Sequence, residues 1–302
     1  MNIEILTAES MGVRGLGCHI TAGGRRILID PGFALGYMRH QRLPHPKQVL
    51  LAEKVRRRVI GLWEQATDIV LSHFHGDHVP LVDANPYQLS AHALVGLNGR
   101  VRIWRKNPEH LSPHETAREA SLSAVLGQEL LAGENQRHGP LWFSEAVPHG
   151  DPAETDETVM MTLVEEDRRF VHAPDIQLLC DETVSRIILW RPDMVLAGGP
   201  PLYLGRLTAE QIERAWQNAL RLAREVDTVI LDHHLLRSME GVAWLEQLSS
   251  VAGKKILCAA DLMGKGRQFM EAKRGELYRR FPVPEGWHEA YARGEATTDG
   301  YR

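Results

Sequence analysis

The run Ser72-His73-Phe74-His75-Gly76-Asp77-His78-Val79-Pro80 constrains this chain more than any other stretch. It crowds three imidazoles and a carboxylate into positions 73 to 78, directly after the apolar run Ile69-Val70-Leu71. A short apolar run of this kind reads as a buried strand, so His73, His75, Asp77 and His78 fall on the turn that leaves it. Imidazole and carboxylate ligands at a strand end can hold one or two divalent cations, and a metal so placed usually activates water.

The 302 residues are 43% hydrophobic with a net charge of -4, enough for a substantial core in one large α/β domain or two ordinary ones. That charge gives no global attraction to nucleic acid or to anionic membranes. The opening MNIEILTAES carries Glu4 and lacks the basic flank and long apolar stretch of a signal peptide. No apolar run approaches the ~20 residues that span a bilayer, so a cytoplasmic protein is expected. Cys18, Cys180 and Cys258 lie outside any C-x-x-C spacing and sit in or beside apolar segments. They read as small buried hydrophobes rather than as disulfide or zinc ligands.

Strands alternate with helical stretches along the chain. Ile3 to Leu6, Cys18 to Ile20 and Arg26 to Ile29 read as strands, the last two joined by a hairpin at Gly23-Gly24 and the third closed by Asp30-Pro31-Gly32. Lys47 to Ala66 has helical periodicity and leads through Thr67-Asp68 into the Ile69 strand. The second half repeats this order. Thr208 and Gln211 form a capping box, a helical stripe from Ile212 to Ala223 follows, and Asp227 leads into the strand Thr228 to Leu231. The likeness of ATDIVLSHFH to EVDTVILDHH suggests two similar halves whose strand ends meet at one site, and Met194 to Ala197 is a further strand after an Asp. Alternating βα units after hairpin-linked strands favour a mixed α/β domain. No low-complexity linker divides residues 1–302, so one domain is expected. Residues 86–140, with a basic strand-like piece at Arg100 to Lys106 and a helical stretch at Glu115 to Leu131, read as a candidate insertion covering the site. Residues 264–281 read as a basic C-terminal helix, and those up to 302 as a loosely ordered tail.

Later strand ends offer partners for the first run. His149 follows Ala146-Val147, Asp175 follows Phe170-Val171, and His233 with His234 closes the Thr228 strand. With Asp30, five strand ends carrying His or Asp would converge on one edge, where α/β sheets usually build their sites. This ordered set, Asp30, His73-x-His75-x-Asp77-His78, His149, Asp175 and His233 or His234, resembles the five-motif signature of the metallo-β-lactamase superfamily. More narrowly, ESMGVRGLGCHI, ILIDPGFALGYMRHQRLPHP, SHFHGDHVP, FVHAPDIQ and LDHHLLR resemble a functionally uncharacterised, largely archaeal branch of predicted metal-dependent hydrolases.

The resemblance implies a four-layer αββα sandwich with a dinuclear site at one rim. His73, His75 and His149 would hold one metal, Asp77, His78 and a histidine of the 233–234 pair the other, and Asp175 would bridge them. Asp30 would orient the ligand loop by hydrogen bonding, without touching metal. Neighbours on a strand point to opposite faces, so one of His233 and His234 is expected to bind. His233 is favoured as the first residue after the strand. His172 is a rival to Asp175, although Val171 and Ala173 around it suggest a strand position.

Two divalent ions sharing a water bring its pKa towards neutrality, so the expected nucleophile is a metal-bound hydroxide, with Asp77 orienting it or receiving its proton. Nitrogen and oxygen ligands suit Zn²⁺ and admit Fe or Mn. The expected substrate is a small molecule with an ester-type bond, a phosphodiester, lactone or thioester. Arg14, Arg39, His45, Gln177, Tyr203 and Arg237 are polar loop residues near the motifs that a substrate would meet. A nuclease of the RNA-processing type is the alternative, disfavoured by net charge and by the short stretch from Asp175 to His233. A non-catalytic metal-binding interaction protein is the third reading.

Overall fold

The computed structural model, which describes residues 1–301, sorts its strands into two six-stranded sheets. The first holds β1 (Asn2–Ile5), β2 (Cys18–Ala22), β3 (Arg25–Ile29), β4 (Asp68–Leu71), β5 (Arg102–Arg105) and β6 (Leu130–Ala132) side by side in that order. Pairing is antiparallel from β1 to β3 and parallel from β3 to β6. The second holds β7 (Arg137–His138), β8 (Leu141–Pro148), β9 (Thr158–Glu165), β10 (Arg169–Ala173), β11 (Met194–Gly198) and β12 (Thr228–Asp232). It too is antiparallel at first, from β7 to β10, and then parallel to β12. Each half of the chain therefore builds a sheet by the same plan, antiparallel strands first and parallel strands after.

Side-chain alternation decides how the layers stack. Ile27, Ile29 and Val70 of the first sheet and Leu196 and Ile230 of the second meet in one shared core between the sheets. Leu28, Ile69 and Leu71 point the other way, against Val49, Val59 and Trp63 of α1 (Pro46–Gln65) and Leu122 of α2 (Pro113–Leu126). On the far side Val195, Val229 and Leu231 pack against α3 (Asp181–Leu189), α4 (Ala209–Glu225) and α5 (Met239–Ala252). The result is helix, sheet, sheet, helix: the αββα sandwich that the resemblance implies. The expected capping box at Thr208 and Gln211 is present in both of its hydrogen bonds. All three cysteines are buried and free. Among the described residues no helix is long and apolar enough to cross a membrane.

Three expectations are corrected. Residues 86–140 are not an insertion laid over the site, because they supply β5, α2 and β6, which extend the first sheet, and β7, which edges the second. The basic helix expected over residues 264–281 contracts to α7 (Arg274–Arg280), after the short α6 (Ala259–Leu262). The tail beyond it is ordered. In α8 (Trp287–Ala292) Trp287 is buried and stacks on Tyr291, and Tyr291 and Thr298 both donate to Glu53 of α1.

The architecture matters for function because the C-terminal ends of β3, β4, β8, β10 and β12 open on one rim. Asp30, His73, His149, Asp175 and His233 follow those five ends.

Candidate metal centre

Asp175 stands at the middle of the rim, 1% exposed, with five imidazoles around its carboxylate. Its Oδ2 lies 3.1 Å from His149 Nε2, 3.3 Å from His73 Nε2, 3.4 Å from His78 Nε2 and 3.5 Å from His234 Nε2. Its Oδ1 lies 3.0 Å from His233 Nε2. Most of these pairs are close but poorly aligned as hydrogen bonds, and His73 Nε2 and Asp175 Oδ1 are buried without a hydrogen-bond partner.

Neighbouring hydrogen bonds say where the imidazole protons sit. Asp30, fully buried, accepts from Ser72 N at 2.8 Å, from Ser72 Oγ at 2.6 Å and from His78 Nδ1 at 2.8 Å. Since the Ser72 hydroxyl gives its one proton to Asp30, it accepts from His73 Nδ1 at 2.9 Å. His233 Nδ1 donates to the buried Glu9 Oε2 at 3.0 Å. His73, His78 and His233 thus each carry a proton on Nδ1 and turn Nε2 inward, where His78 Nε2 and His233 Nε2 face each other at 3.2 Å and have room for a cation or a proton. Imidazole nitrogens converging on a buried carboxylate call for cations between them. The residues present therefore fit divalent metal.

The electrostatics agree. Burial disfavours charged His78, yet Asp175 and Asp30 outweigh it and hold that imidazole well above its ordinary value. Burial likewise opposes the charge on His233, but Glu9 and Asp175 raise it to about 9. Burial pushes Asp175 up, and His233, His78 and His234 overcome this to keep it ionised well below the usual carboxylate range. The pocket demands positive charge.

Possible ligand atoms fall into overlapping sets within 4.8 Å of one another: His73, His75, His149 and Asp175; Asp77, His78 and His233; Asp175, His233 and His234; and Asp30, His73 and His78. His75 turns Nε2 to Glu157 Oε2 at 3.3 Å. Asp77 sends Oδ2 to Arg237 Nη2 at 3.0 Å. The structure thus brings all nine sequence-derived candidates to one place. Asp30, Asp175 and His233 adopt φ of 45°, 49° and 59°, a left-handed conformation uncommon for non-glycine residues and concentrated here at the site.

The choice between His233 and His234 does not fall out as strand alternation implies. The strand ends at Asp232, and His233 to Arg237 form a 3-10 turn whose left-handed first residue swings both imidazoles to Asp175. His172 is a core residue, its Nε2 bonded to Leu16 O at 2.8 Å, and it joins none of the sets.

Of the six polar loop residues, Gln177 and Tyr203 line a cavity of about 510 Å³ beside His149 and His234. Arg237 grips Asp77, and Arg39 lies over the Tyr203 ring at 4.6 Å. Arg14 pairs with Glu271, while His45 caps α1 and bonds Phe281 O. Sequence reasoning missed Glu9, Ser72, Gly32 and Glu115. Ser72 is the one with a local signal, as the first residue of the histidine run. Gly32 donates to His78 O at 2.9 Å, so close that a Cβ there would lie 2.2 Å from Val79 N.

The sandwich with this His/Asp rim defines a protein of the metallo-β-lactamase type, although no protein-family profile matches the chain. A UPF0282 protein of Methanosarcina mazei is 47% identical over 302 residues, covering 100% of this chain and 99% of the relative. A UPF0282 protein of Thermococcus gammatolerans is 30% identical over 291 residues, covering 93% and 96%. The chain belongs to the UPF0282 family. Among solved structures, it is similar to an isothiocyanate hydrolase from Delia radicum gut bacteria at 17% identity and a TM-score of 0.49, covering 82% and 94% of the two chains.

Proposed function

We propose that this protein is a metal-dependent hydrolase that uses two divalent ions, zinc foremost, to cleave an ester-type bond in a small molecule. The observation that carries the reading is the convergence of five imidazole nitrogens at 3.0 to 3.5 Å on the Asp175 carboxylate, beside an open cavity. Two ions held there supply Lewis acidity and an activated water. His73, His75 and His149 would hold one ion and Asp77, His78 and His233 the other, with Asp175 placed between the two sets. His234 remains free to serve either the second ion or a substrate group in the cavity.

Asp77 is the residue to orient the water. Burial raises its pKa, but His78 and Arg237 outweigh that and keep it well below the ordinary carboxylate range. It therefore stays ionised and acts as a hydrogen-bond acceptor that aligns the attacking oxygen. Tyr203 and Gln177 are placed to hydrogen-bond a substrate. Asp151, Glu154 and Glu157 line the same cavity against one arginine, Arg206, which favours a small neutral or cationic substrate over a polyanionic strand.

The test is metal analysis of the purified full chain. About two transition-metal ions per protein are expected, and His75→Ala or Asp175→Ala should remove most of them together with hydrolysis of a panel containing bis(p-nitrophenyl) phosphate, lactones, thioesters and short RNA. Full metal retention in both variants would overturn the site. Activity on RNA alone would replace the small-molecule reading with a nuclease.

A further inference from the structure

Two residues outside the five motifs hold the second ligand set. We infer that Glu9 and Arg237 form a positioning couple that selectively shapes the second cation position, an inference that rests on the two-ion reading above. Glu9 lies on the 3-10 turn Glu9–Met11 and is 2% exposed. Its carboxylate is shared, Oε2 taking His233 Nδ1 at 3.0 Å and Oε1 taking Arg237 Nε at 2.7 Å. The turn is tied to the same strand end, because Asp232 Oδ1 accepts both Ser10 N at 3.1 Å and His233 N at 2.8 Å.

The position of Arg237 follows from two distances. Its Nη2 is 3.1 Å from His233 Nε2 and 3.3 Å from His233 Nδ1. The bonding directions of the two ring nitrogens diverge in the plane, and an in-plane atom that close to both would overlap Cε1. The guanidinium therefore lies over the face of the ring. From there Nη2 reaches Asp77 Oδ2 at 3.0 Å and Nη1 reaches Tyr203 Oη at 3.2 Å.

Each contact has a consequence for the ligand set. The Glu9 bond fixes a His233 proton on Nδ1 and leaves Nε2 to face the site, and the stacked guanidinium stops the ring from turning. The Arg237 bond fixes Asp77 Oδ2, the oxygen that lies 3.7 Å from His233 Nε2, and so sets where that carboxylate meets the second ligand set. Arginine suits this task because its planar fork serves a carboxylate, a ring face and a phenol together. The first set has other supports: Ser72 for His73, Gln177 for His149 and Glu157 for His75. Loss of the couple should therefore disturb one ion position and spare the other, which a general loss of stability would not do.

The experiment is a stepwise cobalt(II) titration of the metal-free full chain against a competing chelator, read by the visible absorption of each bound ion. For Glu9→Gln the first ion should bind within about twofold of wild type, and the second about 10- to 100-fold more weakly with an altered absorption band. Arg237→Lys asks the same question if Glu9→Gln does not yield folded protein. It keeps the charge and loses the fork, so the same selective loss is expected. Wild-type binding of both ions in these variants, or equal weakening of both, overturns the inference. A wild-type chain that binds fewer than two cobalt ions overturns the two-ion reading instead, before any variant is compared.

Discussion

Removing the Glu115 carboxylate tests how the loop between His73 and His75 is held. Glu115 sits in the first turn of α2, where Oε2 accepts from Ser112 N at 3.0 Å, closing the capping box, and from Lys106 Nζ at 2.9 Å. Its Oε1 accepts from Phe74 N at 3.1 Å, the amide between the two histidines, while Arg118 Nη1 donates to Phe74 O at 2.8 Å. Lys106 is fully buried and donates in addition to Thr158 O at 2.7 Å, next to the Glu157 that meets His75. Truncation to alanine leaves that ammonium without its counter-charge and two amides without an acceptor. Breaking a buried pair from one side costs about 3–5 kcal/mol, and the two orphaned amides place Glu115→Ala in the upper part of that range.

Lys106 has one escape. Burial already depresses its pKa, against the upward pull of Glu115, and without Glu115 it is depressed further. A lysine whose folded pKa lies below its unfolded value binds fewer protons when folded, so stability of the variant climbs with pH and the gap to wild type narrows. Urea unfolding of the metal-free chain at about pH 7 and about pH 9.5, followed by tryptophan fluorescence, measures both effects. The double variant Lys106→Met with Glu115→Gln should recover most of the loss, since it buries no charge and keeps an acceptor for Phe74 N. A Glu115→Ala loss below about 1 kcal/mol, the scale of an exposed pair, or a loss that does not change with pH, would refute the assignment of this pair as the brace of the histidine loop.

The same pair shows why part of the fold was not legible in the sequence. Strand β5 ends in Arg105 and is followed by Lys106, both buried, and a strand end that buries its charges looks like surface to any reading of hydrophobic pattern. Residues 86–140 were therefore expected to be an insertion. The tail looks loose for the opposite reason, because Tyr291 and Thr298 find their partner in Glu53 of α1, over 230 residues earlier, where no local pattern points to it. The rim was legible because its residues lie on the turns that directly leave apolar strands, so local pattern and site coincide. The exception is instructive. Strand alternation separates His233 from His234, yet the strand stops at Asp232 and the left-handed His233 opens a 3-10 turn, so the rule has no purchase there. Glu9 lies 224 residues from His233, and nothing in the segment it opens, ESMGVRGLGCHI, marks it as that histidine's partner.

Gly32→Ala should damage the centre without replacing a ligand, since the new Cβ would lie 2.2 Å from Val79 N and 2.3 Å from the carbonyl carbon of His78. Overpacking against backbone costs about 1–3 kcal/mol, and thermal melting together with bound metal should both fall; unchanged metal content would show that the His78 backbone tolerates displacement. The C-terminal segment offers a test in acid. Arg267 makes a two-pronged pair with Asp261, Nε to Oδ1 at 3.0 Å and Nη2 to Oδ2 at 2.8 Å, and Cys258 N donates to the same carboxylate. Burial raises the Asp261 pKa, but these donors outweigh it and hold the carboxyl at about 2. Its folded value lies below the unfolded one, so the pair stabilises the fold above about pH 4, and that contribution is lost as pH falls towards about 2. Arg267→Ala should therefore melt at lower temperature than wild type at about pH 5, and the difference should shrink as pH falls to about 3. A difference that stays constant over that interval would mean that Arg267 acts through packing of its aliphatic stem rather than through the Asp261 charge.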